Sequence, residues 1–342
     1  MKIFIPMAGK GTRLRPFTLT SPKPLLEIID KPIVEHLIDQ ITSTLNTDID
    51  EIIYILGDES YFNSDVVDSL KLISDKYNAQ TKIYRQLEQL GTGHAIMCAE
   101  DSLTGPSIIA YADTMIQGKI SIDSDVDGMI WVKKVKNPSS YGVVNLDKDG
   151  NIIELIEKPQ NFISDLAVVG IYYFKDISLV RDHLRTHLKE TLDPSKEYLL
   201  NYGIEKMIEN NYVFKSQEIN TWMDCGTPQL LIKSAKTIMN STEKSNVENN
   251  LSEKVNVHIN QPVFFGKNVQ ITDSTIGPYV SIGDNTVVSN SKIESTIIYK
   301  NAKVLNANLK NSILGSNTSY NGSSKAVFLG DHSQINGDED KQ

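Results

Sequence analysis

The chain has 342 residues, of which 40% are hydrophobic and 23% charged, and its formal net charge is −9. That length exceeds one average core and predicts two domains, while the composition is that of an ordinary globular protein. No run of Lys or Arg is long enough to track a nucleic-acid backbone, which excludes bulk nucleic-acid binding; a phosphate ligand needs only a few local cations.

Ile3–Pro6 reads as a first strand that runs straight into Gly9-Lys10-Gly11. This apolar opening is too short for a signal-peptide core and lacks a cleavage pattern. Pro32 and Ile33 open a stretch with Ile33, Leu37 and Ile41 at helical spacing, and Pro suits a helix start. Glu51–Leu56, Lys82–Tyr84 and Ser107–Tyr111 read as further strands, and their alternation with helical patterns predicts a parallel sheet covered by helices. Gly142–Leu146 and Ile152–Ile156 flank Asp147-Lys148-Asp149-Gly150, a hairpin signal, and Ala167–Phe174 is one more strand. Cys98 and Cys225 lie far apart, without Cys-x-x-Cys spacing, which argues against a disulfide scaffold or a structural zinc site.

The composition changes after about Met239, and Asn240 to Glu253, rich in Asn, Ser and Glu, reads as a linker. Beyond it Ile271, Ile276, Ile282, Val288, Ile293, Ile298, Val304, Leu309 and Leu314 follow one another at steps of five or six, with Gly, Asn and Ser in the gaps. A helix face recurs at three or four residues and a strand face at two. Steps near six fit a three-sided parallel coil in which each flat face buries one aliphatic residue on an axial stack. At roughly 18 residues per coil, Ile271 to Leu314 makes two to three turns. No stretch approaches the ~20 apolar residues of a membrane span, so the expected location is the cytoplasm.

The chemistry concentrates first in Gly9-Lys10-Gly11-Thr12-Arg13-Leu14-Arg15-Pro16, followed by Ser21-Pro22-Lys23-Pro24-Leu25. The glycines let the backbone approach a phosphate chain with its N–H groups turned inward. Arg13 can clamp phosphate oxygens bidentately, and Lys23 adds a point charge between two prolines. The spacing matches neither the dinucleotide Gly-x-Gly-x-x-Gly nor the Gly-Lys-Ser/Thr phosphate loop.

With these residues in view, the sequence resembles the sugar-1-phosphate nucleotidyltransferases, or nucleotide-sugar pyrophosphorylases, over roughly residues 1 to 236. Gly-x-Gly-Thr-Arg-Leu-x-Pro with the downstream Pro-Lys-Pro-Leu is similar to their signature. Gln86 with Leu90-Gly91-Thr92-Gly93-His94-Ala95 resembles the family's base-reading loop. Ala112-Asp113 stands where the family usually has Gly-Asp. Tyr141-Gly142-Val143 and Glu157-Lys158-Pro159 resemble its sugar-site segments, and Trp222-Met223-Asp224-Cys225-Gly226-Thr227-Pro228 resembles its second metal-ligand segment. The Ala8-Gly9-Lys10-Gly11 form resembles the uridylyltransferase branch.

The resemblance implies a Rossmann-like mixed-sheet α/β domain followed by a short left-handed parallel β-helix. The expected division is a catalytic domain over 1–239, the linker over 240–253, the β-helix over 254–332 and a frayed tail over 333–342. It implies that Ala8, Gly9, Gly11, Thr12, Gln86, Gly91 and Thr92 bind the nucleotide, and that Gly142, Glu157, Lys158 and Val168 bind the sugar phosphate. Arg13, Lys23, Asp113 and Asp224 carry the catalysis, with Mg²⁺ held by Asp113 and Asp224 through hard oxygen ligands. Gln86 is expected to offer both donor and acceptor to a pyrimidine imide edge, with the Gly91 backbone close to the base. The implied partners are a nucleoside triphosphate and a sugar 1-phosphate, without nucleic acid or membrane, in a homo-oligomer. Thymidylyl transfer from dTTP to glucose 1-phosphate leads. Uridylyl transfer to glucose or N-acetylglucosamine 1-phosphate and a non-catalytic nucleotide-sugar sensor stand as alternatives.

Three residues invite other chemistry. A sugar phosphate is already an anionic nucleophile, so His94 is not needed as a base and is expected to pack or cap the helix that follows. Cys225 is expected to be structural. Phe328-Leu329-Gly330-Asp331 resembles a segment near an acyltransferase site, with His332 the one candidate base from Gln261 to Gln342, but a purely structural coil is the expectation.

Overall fold

The computed structural model of the chain describes residues 1–45, 47–190, 197–241, 251–322 and 326–336. Two compact units emerge that do not follow chain order: Met1–Gly9 with Val34–Trp222, and Lys10–Ile33 with Met223–Gln342. Sequential domains were expected; instead the segment carrying most of the phosphate-loop signature belongs with the C-terminal half.

The first unit is built on a nine-stranded mixed sheet. Its strands are β1 (Lys2–Pro6), β2 (Glu51–Leu56), β3 (Gln80–Arg85), β4 (Ser107–Ala110), β5 (Gly128–Lys134), β6 (Gly142–Leu146), β7 (Ile152–Glu157), β8 (Leu166–Phe174) and β9 (Phe214–Glu218). The order is β7-β6-β8-β4-β1-β2-β3, with β5 beside β8 and β9 beside β5. β1 runs parallel to β2 and β4, and β2 parallel to β3, as the strand–helix alternation predicts. β8 is antiparallel to β4 and β5, which makes the sheet mixed. β6 and β7 form the predicted antiparallel hairpin. Ile3, Phe4, Ile5, Ile108 and Ile109 are fully buried, as near-continuous apolar strands covered on both faces must be. Helices α1 (Ile33–Thr44), α2 (Ser64–Asp75), α3 (Thr92–Met97), α4 (Ser178–Glu190) and α5 (Leu200–Glu209) belong to the same alternation. α2 shows how the local sequence fixes an end: the Asn63 side chain accepts from Val66 N at 3.1 Å, capping the first turn.

The second unit carries α6 (Pro228–Ser241) and a left-handed parallel β-helix from Leu251 to Asn336. One face stacks Phe265, Ile282, Ile298, Leu314 and Leu329 in register. A second stacks Ile271, Val288, Val304, Tyr320 and Ile335. The third stacks Ile276, Ile293 and Leu309. All nine aliphatic residues of the predicted series are at most 1% exposed.

The coil corners explain the polar residues between them. Asn268, Asn285, Asn301 and Asn317 occupy one corner with φ of 56–58°, each in the left-handed region. Each side-chain amide reaches the next course, at 3.2, 3.2 and 3.1 Å along the series and 3.5 Å to His332, over sequence steps of 17, 16, 16 and 15. Asparagine tolerates this conformation because its short amide bonds locally. A second ladder joins Asn290, Asn306 and Asn321 at 2.8 Å per step.

Three expectations change. The coil is tighter than 18 residues, and its first face has five courses because Phe265 and Leu329 extend a series read as beginning at Ile271 and ending at Leu314. Helix α6 continues through Ser241 and the first coil strand begins at Leu251, so both ends of the 240–253 stretch are regular; its remainder, 242–250, lies outside the described residues. Strand Gln334–Asn336 pairs with Ser319–Asn321, inside the stretch expected to fray, and 337–342 lie outside the described residues.

The ladder gives a stability test. Asn301→Ala is expected to cost about 1–2 kcal/mol, because alanine must hold a left-handed corner without the amide. Asn301→Gly loses the same side-chain bonds but not the backbone tolerance, so its Tm is expected to lie above that of Asn301→Ala. The reverse order in thermal unfolding would show that the backbone does not limit this corner.

Candidate active site

The phosphate-loop segment is shaped by its own backbone. Gly11 sits at φ 60°, and a Cβ there would lie 3.0 Å from Lys23 Cβ and 3.1 Å from Thr18 Cγ2. Thr18 Oγ1 donates to the Gly11 carbonyl at 2.8 Å, folding Thr12–Leu14 and Phe17–Leu19, two 3₁₀ turns, onto one another. Gly11 and Lys23 are thereby brought together, with Lys23 buried and Thr12 and Arg13 exposed. Gly9 differs: a Cβ there would meet nothing within 4 Å. Its neighbour Ala8 is buried, with its carbonyl accepting from Gln89 Nε2 at 3.1 Å.

Arg13 and Asp224 also converge. Asp224 Oδ1 accepts from Gly226 N at 2.7 Å, and a Cβ on Gly226 would lie 2.8 Å from that oxygen and 3.3 Å from Arg13 Nη2. Cys225 is buried, its thiol 3.9 Å from Ser234 Oγ, and faces the interior as a structural residue would.

In the first unit Gln86, Gly91, Thr92 and His94 form one cluster. Gln86 is buried, and its amide nitrogen donates to the Gly91 carbonyl at 3.0 Å and meets His94 Nδ1 at 3.1 Å. A carbonyl can only accept, so the atom facing it is the amide nitrogen, and His94 Nδ1 must supply a lone pair. The Gln86 nitrogen is thus consumed, which corrects the donor-plus-acceptor expectation: Oε1, an acceptor, is what remains. His94 is neutral in this arrangement. Burial pushes its imidazole below the ordinary value, with the Glu88 charge and backbone pulling partly the other way. Its work is to hold Gln86; no side chain caps the start of this helix, so the capping expectation for His94 is not met.

Gly91 has a different reason to be glycine from the one expected. Its φ is 106°, and a Cβ would lie 2.7–3.0 Å from the backbone of Tyr198. Gly93 is pressed equally closely on Leu199, and its N–H donates to the Tyr198 carbonyl at 2.7 Å. Tyr198 N in turn donates to the Leu90 carbonyl, and Leu200 N to Thr92 Oγ1 at 3.0 Å. Tyr198 to Asn201 is therefore a buttress under the loop, and its residues carry no motif that spacing alone would flag.

The residues expected to bind the sugar phosphate lie on β6, β7 and β8 or, for Lys158, just past β7. A Cβ on Gly142 would lie 3.0 Å from Glu157 Oε2, which also accepts from Asn201 Nδ2 at 3.3 Å. Lys158 is exposed and pairs with Glu157 at 3.4 Å. Val168 is buried on β8, one residue past the Ala167–Val143 pairing. Tyr141 packs edge-on against Trp222 with ring centroids 4.9 Å apart. Asp113 is half-buried just beyond β4. Tyr111 ahead of it is pushed up to about 12 by burial, partly offset by hydrogen bonds to Thr92 and Tyr172. Tyr111, Tyr172 and Asn201 are site-shaping residues that the sequence reading missed.

Among the described residues no three of His, Cys, Asp and Glu converge as a metal-binding group. Asp113 lies in the first unit and Asp224 in the second. Each carboxylate is a hard oxygen donor of the kind Mg²⁺ takes, since that ion needs only one or two carboxylates and completes its octahedron with phosphates and water. Among the described residues no helix is long and apolar enough to cross a membrane.

Two measurements check this geometry. Gly91→Ala is expected to lower Tm as well as nucleotide affinity, because its Cβ meets backbone; Gly9→Ala is expected to keep Tm and lose affinity alone, and an unchanged affinity would remove Gly9 from the site. For His94 the sign follows from its depressed value. The unfolded chain takes up the proton first as pH falls below about 6.5, so the stability from neutral His94 is complete above that pH and lost below it. Wild type is expected to lose more Tm than His94→Gln between pH 7.5 and 5.5; equal losses would release His94 from this role.

The nucleotidyl transferase family profile matches residues 4–241. Glucose-1-phosphate thymidylyltransferase of Streptomyces antibioticus is 28% identical over 369 positions, covering 98% of this chain and 99% of that protein. The bifunctional protein GlmU of Methanococcus vannielii is 30% identical over 348 positions, covering 94% of this chain and 79% of that protein. Among solved structures, a nucleoside-diphosphate-sugar pyrophosphorylase from Vibrio cholerae superposes with a TM-score of 0.58 at 19% identity, over 68% of this chain and 99% of that one. With the signature segments in place and the profile spanning most of the sequence, the chain belongs to the nucleotidyl transferase family.

Proposed function

We propose that the chain is a sugar-1-phosphate nucleotidyltransferase that takes dTTP and glucose 1-phosphate. The observation that carries the choice of base is Gln86: with its nitrogen occupied, Oε1 is a fixed acceptor. That acceptor complements the N3–H of thymine or uracil and opposes the ring acceptors of adenine and cytosine. The relative from Streptomyces antibioticus supports dTTP, since the alignment spans 99% of it, whereas a fifth of GlmU is left unmatched. Uridylyl transfer is the second reading, because uracil presents the same N3–H.

In the reaction, an oxygen of the sugar phosphate attacks the α-phosphorus in line, the α–β bridging bond breaks, and pyrophosphate leaves. The sugar phosphate is already anionic, so no side chain need remove a proton. Arg13 and Lys23 bind the phosphates and offset the charge that gathers on them. Glu157 accepts from sugar hydroxyls, and its bond to Asn201 keeps the carboxylate in place; Lys158 contacts the sugar phosphate. Bound Mg²⁺, held by Asp113 and Asp224, would neutralise phosphate charge. Positioning and electrostatics supply nearly all of the rate.

Pyrophosphate release across a panel of nucleoside triphosphates and sugar 1-phosphates tests this. dTTP and UTP are expected to exceed ATP on the order of 10⁴-fold, because a wrong base leaves a buried polar group unpaired. Asp113→Asn and Asp224→Asn are expected to lose kcat severely with Tm retained. Turnover of ATP or GTP equal to dTTP would overturn the base assignment, and a variant with normal kcat at saturating Mg²⁺ would not be a metal ligand.

A further inference from the structure

The β-helix has a column filled by glycine in four of its five courses. The residue after each first-face strand is Gly266, Gly283, Tyr299, Gly315 and Gly330 in successive courses. A Cβ on Gly266, Gly283 or Gly315 would lie 2.3, 2.7 or 2.5 Å from the next course. Tyr299 alone breaks the column, and its ring lies edge-on to Phe17, with centroids 6.5 Å apart. Among the described residues no further coil covers Gly330; a Cβ there would lie 2.8 Å from Pro16 Cβ. Pro16 stands where another coil would.

The next column repeats the pattern. Asp284 Oδ1 accepts from Lys267 N at 2.7 Å, and Asp331 Oδ1 accepts from Ser316 N at 2.6 Å, each tying its corner to the course before. Asp331 does more, since its Oδ2 accepts from Thr20 Oγ1 at 2.7 Å. Both departures from the coil rule therefore touch one segment, Pro16 to Thr20. That segment holds Thr18, whose hydroxyl donates to the Gly11 carbonyl.

We propose that the last coil is a positioning clamp for the phosphate-binding segment: Tyr299, Gly330 and Asp331 hold Pro16–Thr20, and through Thr18 they fix Gly11 and Arg13 for the triphosphate. The kinetic consequence rests on the function proposed above; the clamp itself does not. It gives Gly330-Asp331 a task other than acyl transfer, and His332, at φ 60° and 3.5 Å from Asn317 Nδ2, completes a corner ladder.

Thr20→Val removes the hydrogen bond of the clamp while leaving Asp331 bonded to Ser316. It is expected to raise KM for the nucleoside triphosphate about tenfold, the scale of one lost hydrogen bond to a charged group, with KM for the sugar 1-phosphate and Tm unchanged. Thr20→Ser is expected to restore the wild-type value, and Thr20→Val with Asp331→Ala to be no worse in triphosphate KM than Asp331→Ala alone. Amide exchange on the unliganded full chain gives a readout free of activity. Leu14 N and Leu19 N, bonded to the Gly11 and Pro16 carbonyls at 2.9 and 3.1 Å, are expected to exchange faster in Thr20→Val. Unchanged exchange would overturn the clamp; faster exchange in a protein inactive with every triphosphate would keep the clamp and sink the proposed function. A loss shared equally by both substrates would make the contact merely structural and overturn the positioning role.

Discussion

Each course of the β-helix has to turn its corners through residues in the left-handed region, and that demand organises everything built on it. Asn268, Asn285, Asn301 and Asn317 meet it at one corner, and Tyr279, Ser295 and Asn311 at another. Once corners recur at steps of 15 to 17, side chains between them fall into columns. Aliphatic residues fill the inward columns and bury the axis, while the column at the tightest approach holds glycine in every course but that of Tyr299. Stability in such a stack comes from each course resting on its neighbour. An exception to a column therefore marks a place where the stack meets something other than itself.

The segment that meets the stack explains the odd partition of the chain. Lys10–Ile33 leaves the α/β unit after Gly9 and joins the coils, together with the stretch that begins at Met223. Arg13, Lys23 and Asp224 thus share the unit that contains the coils, whereas Gln86, Gly91, Asp113 and Glu157 belong to the sheet unit. In the function proposed above Arg13 and Lys23 offset charge on phosphates, and such groups act best when they need not reorganise during the reaction. A stack tied course to course by backbone and amide hydrogen bonds is a suitable mount for them. Helix α6 is fastened to the same mount, since Tyr279 donates to Asn240 at 3.1 Å and Lys236 sits over the Tyr279 ring.

Much of this architecture was legible because it is periodic or local. Steps of five or six located the coil, the Asp-Gly turn located the β6–β7 hairpin, and apolar runs located β1, β2 and β4. What escaped was non-local. The coil was read as short because Phe265 and Leu329 lie outside an unbroken Ile/Val/Leu series, although both occupy the same column. Tyr198 to Asn201 carries no spacing signal, yet it closes on Gly91 and Gly93 from about a hundred residues away, with Leu200 N meeting Thr92 at a separation of 108. The allegiance of Lys10–Ile33 to the coils was equally invisible, because Pro16, Phe17 and Thr20 find their partners some three hundred residues on, the Thr20–Asp331 separation being 311.

Residue identity alone left two groups half-explained for the same reason. Gly91 was expected to bring its backbone close to a base; its missing Cβ makes room for the Tyr198 backbone, and open space lies at Gly9. Gln86 was given two hydrogen-bonding senses because a free amide has two. The Gly91 carbonyl takes one hydrogen of the amide nitrogen and His94 Nδ1 the other. Without His94 one donor would remain, and Gln86 would offer a ligand both a donor and an acceptor. Under the function proposed above, the selectivity of this loop lies in a subtraction: a neutral imidazole withdraws the spare donor and leaves a single acceptor. Burial reinforces it by keeping the imidazole below its ordinary value, in the one protonation state that has a lone pair to give.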